Sequence, residues 1–124
     1  MGPRVLIVED EFFIAFDIGQ QLADEGFEVV GPAPSVSKAL RLVAEPGCDV
    51  AILDVNLGGE TSEAVARKLH ESDKPFVVLS GYSTDNTLPW FGDAPVLPKP
   101  LRMGDLVAAL RRCMDAQPAE ARRT

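Results

Sequence analysis

Five residues that could do chemistry follow apolar runs that are predicted to be buried strands. They are Glu9, Asp10, Asp54, Ser80 and Lys99. Because parallel strands end at one edge of a sheet, residues far apart in sequence would converge there. Three carboxylates packed together repel by roughly 4 kcal/mol per pair, at about 4 Å and an effective dielectric near ~20. Such a cluster indicates a site for a hard divalent cation such as Mg²⁺. The lysine charge and the serine hydroxyl suit the oxygens of a phosphoryl group.

Each of these residues has a plainer interpretation when it is taken alone. Asp54 could serve a turn or a cap, Asp10 could cap a helix, and Ser80 could bond to the backbone at a strand end. Lys99 could be a solvated loop lysine. The coincidence of all five at predicted strand ends favours a functional site.

The elements that must position these residues are strands alternating with helices. The central strand, residues 50–53, belongs to the run 51–56 that reads A-I-L-D-V-N and has glycine on both sides. The other predicted strands are 5–8, 27–30, 76–80 and 96–97, and the predicted helices are 12–25, 36–44, a segment from a cap at Thr61 or Ser62 to about 71, and 103–114. In the first helix Phe13, Phe16 and Leu22 supply the apolar positions at helical spacing. The alternation predicts an α/β fold with a doubly wound, five-stranded parallel sheet.

Composition and charge restrict the class of protein. The chain has 124 residues, which is the size of one ordinary domain, and its net charge of −7 argues against a surface for nucleic acid or anionic lipid. No apolar run is long enough to cross a membrane. Cys48 and Cys113 have no metal-ligand spacing, and His70 is the single histidine. Two free thiols in a reducing cytoplasm are expected.

Four motifs resemble those of response-regulator receiver domains of two-component signalling. They are V-L-I-V-E-D-E at 5–11, A-I-L-D-V-N-L at 51–57, V-V-L-S-G at 77–81 and L-P-K-P-L at 97–101. The resemblance implies a flavodoxin-like strand order of 2-1-3-4-5. It also implies a receiver domain over residues 1–116, followed by a polar tail over 117–124.

The resemblance assigns the phosphoacceptor role to Asp54. The donor would be a phosphohistidine on a histidine kinase or a phosphotransfer protein. Without an output domain in this chain, the signal would pass to a downstream protein partner, and a homodimer stays open. The chain would not be an enzyme in the ordinary sense, since it would catalyse only its own phosphorylation and dephosphorylation.

The same resemblance implies an Mg²⁺ site. Asp10 would bind the metal directly and Glu9 through water. Asp54 would contribute its carboxylate, and Asn56 would contribute its backbone carbonyl as the third protein ligand.

The resemblance also gives roles to residues around the phosphoryl group. Ser80 and Lys99 would contact its oxygens, and the peptide between Lys99 and Pro100 would be cis. Val96 departs from the family, which usually carries Tyr or Phe at this position as a rotamer switch. We therefore expect Tyr82 and the loop that follows it to relay phosphorylation instead.

Three rival classes deserve comparison. An aspartyl-nucleophile phosphatase normally needs a second acid two residues after its aspartate, where this chain has Asn56. A dinucleotide-binding domain needs a glycine-rich turn after the first strand, where this chain has three acids at residues 9–11. A pseudo-receiver, which keeps the fold and acts as a phosphorylation-independent interaction module, remains the alternative.

Residues 81–95 lack helical periodicity. The prolines in this stretch and Gly92 disfavour a helix, so a fourth helix could have at most about two turns there. Trp90 and Phe91 are too large and apolar to be idle in a loop. They are expected either to pack in the core against the last helix or to form part of a partner surface.

Overall fold

Strands and helices alternate along the chain in the computed structural model, which describes residues 2–80, 91–92, 94–99 and 101–115. In chain order they are β1 Arg4–Val8, α1 Phe12–Asp24, β2 Glu28–Ala33, α2 Val36–Ala44, β3 Val50–Asp54, β4 Asn56–Leu57, β5 Glu60–Thr61, α3 Glu63–Glu71, β6 Phe76–Ser80, β7 Val96–Pro98 and α4 Met103–Asp115. The five predicted strands and four predicted helices are therefore confirmed.

Five of the strands form one parallel sheet in the order β2-β1-β3-β6-β7. This is the predicted order 2-1-3-4-5 of the five long strands. In the register of the central strands, Val8 pairs with Leu53, and Asp54 pairs with Leu79. Strands β1, β3 and β6 thus end at the same edge, which places the residues that follow them side by side.

The sheet is buried on both faces. On one face α1 and α4 cover a cluster that includes Ile7, Ile52 and Leu106. On the other face α2 and α3 cover a cluster that includes Leu53, Leu69 and Phe91. Helices on both faces explain why the central strands are continuous apolar runs rather than alternating ones.

Helix α1 ends as predicted but presents a different face to the core. Gly26, two residues past the end of the helix, has φ +96°, a conformation that favours glycine. The buried residues of α1 are Ala15, Ile18 and Leu22. Of the three apolar residues that marked the helical spacing, Leu22 faces the core, whereas Phe13 and Phe16 are exposed.

A small antiparallel hairpin follows β3, where the sequence indicated only a loop. Strands β4 and β5 pair Asn56 with Thr61 and Leu57 with Glu60. The turn consists of Gly58 and Gly59, both with positive φ, as a two-residue hairpin turn requires. Leu57 is buried in the cluster under α2 and α3 and anchors the hairpin.

Several expectations concern residues outside those that the structure describes. These are the short fourth helix expected within 81–95, of which residues 81–90 and 93 are not described, and Tyr82, Trp90, Pro100 with its cis peptide, and the tail over 117–124. Phe91 is described and is 1% exposed. It packs in the core as one of the two interpretations expected, but on the face covered by α2 and α3 rather than against the last helix. Within the described residues, no helix is long and apolar enough to cross a membrane.

Candidate functional site

Glu9 lies directly after β1 and is almost fully buried, with 2% of its surface exposed. Its N–H donates to the carbonyl of Ala33 on β2 at 3.0 Å, which fixes the main chain at this point. Its Oε2 accepts from the N–H of Glu11 at 3.2 Å. Its Oε1 has no hydrogen-bond partner among the described residues. The Lys99 ammonium lies 3.5 Å from that oxygen and forms an ion pair without hydrogen-bond geometry.

Asp54 is the last residue of β3 and is 8% exposed. The Lys99 Nζ donates to its Oδ2 at 3.1 Å. The Lys99 main-chain N–H donates in turn to the Ser80 carbonyl at 2.9 Å. The ends of β3, β6 and β7 are thus joined around the Asp54 carboxylate.

The carboxylates of Glu9, Asp10 and Asp54 form one cluster. One oxygen from each residue lies within 4.8 Å of the others. Three carboxylates at this spacing match the oxygen ligands that Mg²⁺ or Ca²⁺ prefers. One of them, Glu9, has a buried oxygen that receives no hydrogen bond from residues 2–80, 91–92, 94–99 or 101–115. The donor set therefore fits a hard divalent cation.

Burial and like charge act together on Glu9. Burial first, and then the negative charge of Asp54, together raise the pKa of Glu9 from 4.5 to about 7. Burial alone would lower the pKa of Lys99, but the carboxylates of Asp54 and Glu9 outweigh it and raise that pKa. A single ammonium thus compensates only part of the negative charge that the fold concentrates here.

The structure brings together most of the predicted site residues. Glu9, Asp10, Asp54 and Lys99 meet at the carboxyl edge of the sheet. Ser80 ends β6 at this edge, is 5% exposed, and binds Lys99 through its main chain. The interpretation of Lys99 as a solvated lysine is wrong, because its ammonium is paired with two buried carboxylates.

Two other predictions concern Asp10 as a helix cap and Asn56 as a metal ligand. Asp10 does not occupy the capping position of α1, which belongs to Glu11, and Glu11 makes no side-chain cap. Asn56 begins β4 and is exposed. The role of its carbonyl as a metal ligand stays a prediction.

Sequence reasoning missed two features that border the site. A Cβ added to Gly58 would lie 3.8 Å from Oδ2 of Asp10, so the hairpin turn borders the acidic cluster. The second feature is an aromatic ridge on the first turns of α1, formed by Phe12, Phe13 and Phe16. The Phe12 ring stacks on Phe16 at 5.9 Å and meets Phe13 edge-on at 5.7 Å. The Gly-Gly pair and the F-F-x-x-F spacing were the available signals.

The doubly wound parallel sheet, with an acidic cluster beyond the carboxyl ends of its central strands, defines the class of protein. The model of the response regulator receiver domain family matches residues 5–111. The chain belongs to this family, which is the receiver domain of two-component response regulators.

Curated relatives agree with this family and are longer than the chain. The transcriptional regulatory protein PdtaR of Mycobacterium tuberculosis is 33% identical over 114 residues, which is 86% of this chain and 54% of that protein. The response regulator GacA of Pseudomonas aeruginosa is 32% identical over 120 residues, 92% of this chain and 56% of that protein. The chain thus spans about half the length of the curated relatives it matches.

Solved structures agree in fold. A CheY-like receiver domain protein from Methanospirillum hungatei superposes with a TM-score of 0.84 at 25% identity, covering 97% of this chain and 99% of that chain. A response regulator receiver protein from Sinorhizobium medicae gives a TM-score of 0.81 at 25% identity, covering 94% and 98%. The five-stranded arrangement is thus that of receiver domains across nearly the whole chain.

Proposed function

We propose that the chain is a phosphoacceptor receiver and that Asp54 is its acceptor. The observation that carries this proposal is the position of the Asp54 carboxylate. It is buried at the end of β3, hydrogen-bonded to Lys99 at 3.1 Å, and within 4.8 Å of two further carboxylates. A nucleophile at this position has the Lys99 ammonium beside it, and the neighbouring carboxylate oxygens could hold a metal ion.

The metal in this proposal is Mg²⁺. Glu9, Asp10 and Asp54 would hold it with their carboxylates, and Asn56 with its backbone carbonyl. The buried Oε1 of Glu9, without a hydrogen bond among the described residues, supports this assignment. When bound, Mg²⁺ would neutralise charge on the phosphoryl oxygens.

The transfer itself needs one nucleophile and several positioning groups. A carboxylate oxygen of Asp54 attacks the phosphorus of a phosphohistidine, a P–O bond forms, and the P–N bond breaks. The imidazole leaves and takes a proton. The Lys99 ammonium then pairs with a phosphoryl oxygen instead of the free Asp54 carboxylate, and the Ser80 hydroxyl donates to another oxygen. The chain supplies alignment and charge, as phosphoryl transfer requires.

The phosphodonor in this proposal is a histidine kinase or a histidine phosphotransfer protein. The aromatic ridge starts two residues after Asp10, and Phe13 is 84% exposed. Residues 9–28 contain seven acids and no lysine or arginine. An apolar ridge with an acidic surround fits a partner that has apolar side chains flanked by basic ones. We infer that the donor docks on this ridge, next to the acceptor.

The remaining parts of the proposal concern the domain bounds, the location of the protein and the way its signal is passed on. We infer a receiver domain over residues 1–116 with a tail over 117–124, a cytoplasmic location, and a signal passed on by protein–protein contact. Val96 is a half-buried member of the core on the face covered by α2 and α3. The output would therefore not rely on an aromatic switch at that position.

Phosphorylation in vitro tests the proposal directly. The protein is incubated with Mg²⁺ and either acetyl phosphate or phosphoramidate, and its intact mass is measured. One added phosphoryl group is expected on the wild type and none on Asp54→Asn. No added mass under any condition would favour the pseudo-receiver alternative, and an equally phosphorylated Asp54→Asn variant would show that the acceptor is another residue.

A further inference from the structure

Two serines stand at the N-cap position directly before a helix, and their side chains make different contacts. Ser35 precedes α2, has extended backbone angles, and accepts from the N–H of Lys38 at 3.3 Å. It is an ordinary helix cap. Ser62 precedes α3 with φ −86° and ψ 16°, and its side chain makes no cap. The hydroxyl of Ser62 is therefore engaged elsewhere.

Both donors of Ser62 point back to the strand that carries Asp54. Its N–H donates to the Val55 carbonyl at 3.0 Å, and its hydroxyl donates to the same oxygen at 3.5 Å. Ser62 is fully buried, with 0% of its surface exposed. A buried hydroxyl needs a partner, and the Val55 carbonyl is its acceptor; at 3.5 Å this contact is longer than the 3.0 Å bond from the Ser62 N–H and adds to it.

Val55 is the residue between the proposed acceptor and the proposed carbonyl ligand. Its N–H donates to the Leu79 carbonyl on β6 at 3.3 Å, and its carbonyl is held by Ser62. Both sides of Val55 are thereby fixed, one by the sheet and one by the start of α3. The peptide that joins Val55 to Asn56 cannot rotate without breaking one of these bonds.

We propose that Ser62 is a positioning residue for the metal site. By holding the Val55 carbonyl, it fixes the Asp54 carboxylate and the Asn56 carbonyl in the relative position in which both can bind one cation. The inference rests on the proposed function and extends it to a residue that touches neither metal nor phosphoryl group. Groups that orient metal ligands typically contribute about 10–100-fold to metal affinity.

The test compares Ser62→Ala with Ser35→Ala, which removes an ordinary cap at the start of α2. The melting temperature of each variant is measured as a function of Mg²⁺ concentration, which gives an apparent affinity without any phosphodonor. Both variants are expected to melt below the wild type in the absence of metal. Ser62→Ala should also raise the Mg²⁺ concentration for half saturation by about tenfold, whereas Ser35→Ala should leave it unchanged.

A second variant covers the case in which Ser62→Ala does not fold. Ser62→Cys keeps the side chain close to its original size but offers only a weak S–H donor. It should bind Mg²⁺ more weakly than the wild type. Unchanged Mg²⁺ affinity in the folded Ser62 variants would overturn the proposal and leave Ser62 a structural residue, as would an equal loss in Ser35→Ala.

The rate of phosphorylation by phosphoramidate separates this inference from the proposed function. With Ser62→Ala, the Mg²⁺ concentration that half-saturates phosphorylation should rise by about tenfold, as in the melting experiment, whereas Ser35→Ala should leave that concentration unchanged. A wild type that binds Mg²⁺ but accepts no phosphoryl group would contradict the proposed function and leave the Ser62 inference standing. If Ser62→Ala were phosphorylated at the wild-type rate at every Mg²⁺ concentration, the Ser62 inference alone would be contradicted.

Discussion

The interior of the sheet and its carboxyl edge follow opposite rules. In the interior the buried side chains are apolar, as Leu53 and Ile52 of β3 are. At the edge the charged side chains of Glu9 and Asp54 are buried, while the three phenylalanines of the aromatic ridge are exposed. Burial of charge and exposure of aromatic surface both oppose folding. The comparison teaches that the apolar interior stabilises the fold, and that the charged and aromatic residues of the edge lower that stability.

Leu53→Ala tests the interior and should have the largest effect. Leu53 is fully buried and lies next to Asp54 on the same strand. Truncation leaves a cavity between the sheet and its helices and should lower the free energy of unfolding by about 2–5 kcal/mol. Urea denaturation without metal measures this. The matched control is Asp54→Asn, one residue along the strand, which should not destabilise the metal-free protein. A similar loss of unfolding free energy in both variants would contradict the view that the interior stabilises the fold and the edge does not.

Glu9→Gln tests the carboxyl edge of the sheet. Unlike Leu53→Ala, it should raise the free energy of unfolding of the metal-free protein. Because the pKa of Glu9 is raised in the folded state, from 4.5 to about 7, its contribution to stability is full below pH 4.5 and is lost as the pH rises through about 7. A shift of that size corresponds to at most roughly 3 kcal/mol. The variant should therefore be more stable than the wild type at pH 8 without metal, and the gain should shrink toward pH 5. Thermal unfolding at the two pH values measures it, and a variant less stable at pH 8 would contradict the burial cost.

The Mg²⁺ response should depend on pH through the same carboxyl. Glu9 must lose its proton to act as a ligand, and its pKa is about 7 without metal. Below pH 7 the apparent Mg²⁺ affinity should fall by up to about tenfold per pH unit, and above pH 8 it should level off. Melting curves with a series of Mg²⁺ concentrations between pH 6 and pH 9 measure this. Glu9→Gln is the control and should bind more weakly with little pH dependence over this range. A steep dependence that persists in Glu9→Gln would assign the proton to another group.

The sequence predicted the interior well because burial on both faces leaves a strong pattern. The run V-L-I-V of β1 and the run A-I-L of β3 are short, apolar and together rich in β-branched residues, which favours covered strands. The parallel order then follows from the alternation with helices. The edge was predicted by residue type, since acids, a hydroxyl and a lysine stand at the strand ends. Spacing does not encode which oxygens pair with Lys99, nor that Oε1 of Glu9 has no hydrogen bond from the part of the chain that the structure describes, since both depend on side-chain geometry.

The failures have physical causes as well. Apolar residues at helical spacing usually face the core, but in α1 Ala15, Ile18 and Leu22 form the buried face and Phe13 is exposed. The hairpin at residues 56–61 has strands of two residues, too short to show a period of two. Ser62 matched a helix cap by type and position, but its hydroxyl contacts the Val55 carbonyl instead, which no sequence pattern indicates.

Phe13→Ser tests the exposed side of the edge and should have the smallest effect on stability. Phe13 is 84% exposed, so its loss should change the free energy of unfolding by no more than about 0.5 kcal/mol. Phosphorylation by acetyl phosphate should stay at the wild-type rate, because the small donor needs only the acidic cluster, Asp54 and Lys99. Transfer from a phosphorylated histidine kinase or phosphotransfer protein should fall at least tenfold at low acceptor concentration, since the ridge is the proposed docking surface. Gln20→Ser, an exposed change on the same helix outside the ridge, is the control and should alter neither rate. Equal rates of protein-dependent transfer in Phe13→Ser and the wild type would show that the exposed ring takes no part in donor recognition, and the ridge would then need a different partner.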